Sequence, residues 1–107
     1  MPAEKLNPRV TRRAIHSGQM TIARLELLKD AEVPEHRHVN EQVCTVEKGA
    51  LLFTINGKEQ LLKAGESLVI PPDVPHAVVA KEDSLVMDIF TPRREDWISG
   101  DDSYLRK

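Results

Sequence analysis

A chain of 107 residues is expected to hold one domain, residues 1–107, with a modest core, and its formal charge of −2 comes from 15 basic and 17 acidic residues scattered along it. Dispersed, nearly balanced charge speaks against nucleic acid or an anionic membrane surface as main partner, and no apolar run is long enough to span a bilayer. The single cysteine, Cys44, cannot form an internal disulfide, and the start of the chain lacks a secretory-type apolar core, so the cytoplasm is the expected compartment.

Residues 1–10 are expected to form a loosely held arm unless they pair with a neighbouring chain. Met20 to Leu28 alternates and predicts a strand, followed by a polar break at Lys29-Asp30-Ala31-Glu32. Gln42 to Glu47 is a second strand. Ala50 to Ile55 and Glu59 to Leu62 flank Asn56-Gly57, a pair suited to a type I′ hairpin turn. Ser67 to Ile70 stops at Pro71-Pro72, and Ala77 to Ala80 and Leu85 to Phe90 complete the set. In the tail, residues 93–107, Glu95 to Ile98 predicts one helical turn before Gly100. Short strands punctuated by Gly and Pro point to an all-β sandwich or barrel. Large side chains are few, with Phe53, Phe90, Trp97 and Tyr104 the only aromatics besides histidine, so burial against a second subunit would add stability.

Three of the four histidines fall in two places. His36-Arg37-His38 puts two imidazoles on one side of an extended backbone, and Gln42 shares their parity if the chain stays extended. His76 follows the stiff segment Pro71-Pro72-Asp73-Val74-Pro75. Neutral imidazoles with an oxygen donor suit one divalent Fe, Mn, Ni, Cu or Zn ion, and four such ligands leave two octahedral positions open. The alternative is surface histidines in polar loops. Asp88 lies in an apolar strand on the face of Val86 and Phe90; inside a barrel it would be a candidate general acid or base, and outside it a solvated or arginine-paired acid. Arg93 and Arg94 carry the planar fork that clamps carboxylates, or are ordinary solvated arginines. Cys44 is expected to be a buried core residue, His16 a surface residue, and Trp97 and Tyr104 anchors of the tail.

The stretch Pro34-Glu35-His36-Arg37-His38-Val39-Asn40-Glu41-Gln42, running to Gly49, resembles the first cupin motif, and Gly65 to His76 resembles the second. The resemblance runs from about Val10 to Trp97 and implies a single-domain cupin, a double-stranded β-helix or jelly roll, usually homodimeric. Three positions depart from the pattern: Asp30 and Asp73 stand where glycine is usual, and Ala80 where a late asparagine is usual. A fourth, Gln42, stands where glutamate is the commoner ligand. The resemblance implies that Gln42 binds and Glu41 points away. Four neutral ligands leave the ion its full +2 charge, which polarises a bound carbonyl or carboxylate more strongly and holds the metal less tightly.

The segment Asp88-Ile89-Phe90-Thr91-Pro92-Arg93-Arg94-Glu95-Asp96-Trp97 resembles the end of the KdgF-related small cupins. Those proteins open the ring of 4,5-unsaturated uronates to linear keto sugars. The resemblance implies proton transfer by Asp88, carboxylate binding by Arg94 and a pocket wall at Phe90. Fold alone does not decide a reaction. A metal-dependent dioxygenase of a small organic substrate and a non-catalytic ligand-binding module are the competing readings.

Overall fold

Strands form where alternating side chains let one face be buried. In the computed structural model, which describes residues 1–106, there are ten strands among those residues. In chain order they are β1 (Ala3–Asn7), β2 (Val10–His16), β3 (Thr21–Leu27), β4 (Glu32–His36), β5 (Glu41–Lys48), β6 (Ala50–Ile55), β7 (Lys58–Lys63), β8 (Ser67–Ile70), β9 (His76–Ala80) and β10 (Ser84–Thr91). Helix α1 (Glu95–Ser99) and a 3-10 turn at Ser103–Leu105 follow. A six-stranded sheet has the order β1-β2-β3-β10-β5-β8, and a four-stranded sheet the order β4-β9-β6-β7. All pairings are antiparallel, and their inner faces meet in one core: a cupin-type jelly roll. No helix among the described residues is long and apolar enough to cross a membrane.

The turns explain two of the departures from the motif pattern. Asp30 (φ 73°) and Asp73 (φ 60°) both adopt the left-handed conformation for which glycine is usual. Aspartate tolerates that region better than most residues with a Cβ, so the backbone course survives the substitution. Asn56 (φ 50°) and Gly57 (φ 80°) make the expected tight turn between β6 and β7. Gly49 is a stricter requirement: a Cβ there would lie 2.5 Å from the Asp83 carbonyl oxygen and 2.8 Å from the Ser84 Cα.

Three strands were not anticipated. The expected arm pairs within its own chain, as β1 against β2. Strand β4 begins at Glu32, inside the expected polar break, and contains Pro34. In β2 the alternation is broken by Arg12, which faces inward and is 3% exposed. Its guanidinium lies 4.4 Å from the centre of the Trp97 ring and 2.9 Å from Asp102, itself 1% exposed. Glu4 (3.2 Å from Arg12) and Arg106 (3.0 Å from Asp102) complete a network that ties the tail to the first hairpin. Lys107, the end of the expected tail, lies outside the described residues. Asp102→Ala leaves a buried guanidinium with only the half-exposed Glu4 as partner, so it is expected to cost about 3 kcal/mol in urea unfolding. A loss below about 0.5 kcal/mol, the size of an exposed ion pair, would remove the tail lock.

Candidate metal centre

His36 ends β4 and His76 begins β9, and the two are direct partners across the small sheet. The chain does not stay extended through residues 36–42. It bends after β4, so that His38 lies in a loop and Gln42 on β5 of the other sheet. Asn40 pins this bend: its side-chain amide donates to the Pro92 and Arg93 carbonyls, and its own carbonyl accepts from His38. The Asp73 N–H donates to the His38 carbonyl at 2.8 Å, tying the Pro-rich turn to the same loop. Sequence parity therefore brought together residues that a bend and two sheets bring together in space.

Each imidazole is oriented in the same way. The Nδ1 atoms of His36, His38 and His76 lie 2.9, 3.0 and 2.8 Å from the carbonyls of Pro34, Asn40 and Val74. A carbonyl only accepts, so each Nδ1 carries the proton and each Nε2 keeps its lone pair. The three rings offer donor atoms within 4.8 Å of one another. The Nε2 atoms of His38 and His76 are buried with no hydrogen-bond partner. An orphaned buried acceptor costs about 1–3 kcal/mol, and a cation bound by the triad would remove that penalty at both atoms. The donor set fits a divalent transition ion.

Gln42 is buried while Glu41 is exposed, the orientation expected of the pair. The Gln42 Nε2 donates to Asp88 Oδ1 at 3.0 Å, which commits the amide's nitrogen to Asp88 and turns its oxygen toward His38. Asp88 faces inward and is 7% exposed, not solvated. Burial raises its pKa, against the opposing influence of Gln42, Cys44 and Arg94. Cys44 is buried beside it, and burial together with the Asp88 charge pushes its thiol pKa up, so it is an inert core thiol.

The tail supplies the remaining wall. Arg94 is 1% exposed, and its guanidinium lies 4.7 Å from the Phe90 ring centre and 4.5 Å from that of Trp97. Its Nε and Nη2 make a bidentate pair with Asp96 at 2.9 and 2.7 Å. Burial works against its charge, and the bonds to Asp96 and Tyr104 outweigh burial and raise its pKa. The fork expected to be free for a ligand is thus largely committed to Asp96. Arg93 pairs with Glu95 at the surface, and His16 is exposed. Tyr104 does more than anchor the tail: its ring lies 4.6 Å from that of His36, and its hydroxyl meets Arg94 and Trp97. His36, Gln42, His76, Asp88, Arg94 and Tyr104 all line one cavity of about 50 Å³, room for a few waters. A larger ligand has to share the rim with the tail.

Burial lowers the pKa of His36 and of His38 to about 4, and that of His76 as well. An unfolded histidine titrates near 6.5, so below that pH the unfolded chain binds the extra protons. The triad's contribution to stability is therefore complete above pH 6.5 and lost as pH falls toward 4. Asp88, with its raised pKa, works in the opposite sense. The metal-free protein is expected to lose thermal midpoint across that window, and His38→Gln to flatten the loss. Equal slopes in scanning calorimetry would show that the triad is not the titrating element.

Known proteins supply an independent line. The family model described as "Cupin domain" matches residues 23–91. The chain is 28% identical over 100 residues to the pectin degradation protein KdgF of Dickeya dadantii, covering 91% of each. The structure of KdgF from Halomonas sp. superposes with a TM-score of 0.84 at 29% identity, covering 91% of both chains. An RmlC-like cupin from Shewanella frigidimarina also gives 0.84, at 28% identity over 90% of this chain and 87% of that one. With two facing antiparallel sheets, an inward histidine triad and a family match over most of the barrel, this chain belongs to the cupin domain family and is similar to KdgF.

Proposed function

We propose that the protein is a metal-dependent enzyme that opens a small sugar acid of the 4,5-unsaturated uronate type to a linear keto sugar. The observation that carries this is a triad of imidazoles with ligand atoms within 4.8 Å of one another, two of which, His36 and His76, line one cavity with a buried acid and a buried arginine. His36, His38 and His76, with the Gln42 oxygen, hold one divalent ion, with Ni, Mn, Fe, Zn and Cu as candidates. Such an ion, when bound, polarises substrate oxygens as a Lewis acid. Opening a cyclic hemiacetal to its enol and then its ketone moves one proton from a hydroxyl to a carbon. Asp88 is the group in the cavity able to hold and return it, because burial keeps its pKa above that of a solvated acid. Arg94 binds the substrate carboxylate, and Phe90 walls the pocket and stacks on Arg94. The similarity to KdgF supports the substrate class.

The deciding assay is loss of the ultraviolet absorbance of an unsaturated uronate on adding metal-loaded protein. Absorbance that decays only at the spontaneous rate would sink this reading, and oxygen uptake with small organic acids would replace it with a dioxygenase. Elemental analysis of the loaded protein tests the ion itself.

The proposal takes the protein to be cytoplasmic, in keeping with one buried, unpaired cysteine. It also takes it to be a homodimer. Ile15, Ile22, Ile89, Val43 and Val69 lie in register across five strands on the outer face of the large sheet. Ile15 and Val69 are more than half exposed, and the same apolar row on a second copy is the chemistry that matches it. Light scattering is expected to read twice the mass of 12.1 kDa, and Val69→Lys to halve it. A wild-type mass of one chain would remove the dimer.

A further inference from the structure

Arg94 does not suffice as a carboxylate clamp. Its Nε–H and both Nη2 hydrogens are taken by Asp96 and the Tyr104 oxygen, which leaves only the Nη1 edge without an acceptor among the described residues. A carboxylate arriving there finds one guanidinium nitrogen, not a fork, so a second donor has to come from elsewhere.

Tyr104 has the right chemistry. Its hydroxyl oxygen meets the Arg94 Nη2 and, at 3.3 Å, the Trp97 Nε1. Both of these groups are donors only, so the phenol oxygen accepts twice and its lone pairs are filled. Its own O–H therefore cannot donate to either neighbour, and no acceptor for it exists among the described residues. The ring sits against His36 and lines the same cavity as Arg94, His76 and Asp88.

The tail is built to hold this residue in place. Leu105, next in sequence, is buried in the core, and its carbonyl accepts from the Asn7 side chain. Asp102, two residues earlier, is locked between Arg12 and Arg106. Arg94 is positioned independently by Asp96 and by the Phe90 and Trp97 rings, so its placement does not need the phenol.

We propose that Tyr104 is a substrate-binding residue: its O–H and the Nη1 edge of Arg94 form a two-donor anchor for a carboxylate at the rim of the cavity. This rests on the reading that the substrate is a sugar acid, but not on the ring-opening reaction.

The test uses metal-loaded full-length protein, wild type and Tyr104→Phe, a change that keeps the ring on His36 and removes only the hydroxyl. Calorimetric titration with galacturonate and with galactose, its neutral counterpart, reads the anchor without turnover. Wild type is expected to prefer galacturonate. Tyr104→Phe is expected to lose about tenfold in that preference, the size of one hydrogen bond to a charged group. On an unsaturated uronate, KM is expected to rise by a similar factor with kcat little changed, while the thermal midpoint falls because the Arg94 Nη2 and Trp97 Nε1 lose their shared acceptor. An unchanged KM and an unchanged preference in Tyr104→Phe would overturn the proposal, as would a wild type that does not distinguish the two sugars. If wild type fails to turn over uronates yet keeps a Tyr104-dependent preference, the anchor stands and the ring-opening reading falls.

Discussion

Substituting His76 by alanine is expected to abolish metal uptake while leaving the metal-free protein folded. His76 is the most buried of the three imidazoles, and its Nε2 is without a partner. Changes to groups that merely support a ligand cost about 10–100-fold in affinity, so loss of a ligand from a four-donor neutral site is expected to exceed about 100-fold. The absence of a charged ligand sharpens the effect, since no carboxylate remains to hold the ion by charge. Stability responds differently. Truncation leaves a cavity, which destabilises, and removes an unsatisfied acceptor worth about 1–3 kcal/mol, which stabilises. The two oppose, so the metal-free thermal midpoint is expected to shift little. Elemental analysis after loading, with the midpoint as control, reads both. Full metal content in His76→Ala would mean the triad is not the site.

The second large effect is on turnover. Asp88→Asn keeps an oxygen for the Gln42 N–H to donate to, so the orientation of the amide survives. It removes the group that gains and loses a proton. General acid–base catalysis contributes about 10²–10⁴-fold, and kcat on an unsaturated uronate is expected to fall by that factor with metal content unchanged. Asp88→Ala differs: it also frees the Gln42 amide, so metal affinity is expected to drop about 10–100-fold as well. The pair of variants separates proton transfer from ligand orientation. Normal turnover in Asp88→Asn would take Asp88 out of the chemistry, leaving it as the group that points Gln42.

These two predictions rest on different kinds of information. The histidines were legible as candidates because HxH and a third histidine behind a Pro-rich turn are rare in a chain with four histidines. Strands β3 and β5 through β10 were legible because their alternation is a property of neighbouring residues. Strands β1 and β2 were not, because Arg12 occupies an inward position and its compensating Asp102 is 90 residues away. The Arg94 fork looked free in the sequence, although the acid that occupies it, Asp96, is only two residues on; in the structure the two meet as a bidentate pair. Tyr104 carried no signal beyond its aromatic ring, since only tail packing sets it against His36.

By itself, then, the sequence determined the all-β character, the Asn56-Gly57 turn and the residue types able to bind a metal. Each follows from local period or composition, which a few adjacent residues set. Tertiary structure alone decided which nitrogen of each imidazole faces the site, because that depends on which carbonyl the folded backbone places beside Nδ1. It also decided how the Gln42 amide points, through an acid 46 residues distant, and which donors remain for a carboxylate at the rim. Those features arise where a bend and two sheets bring distant groups within hydrogen-bond reach, and no one-dimensional pattern records that distance.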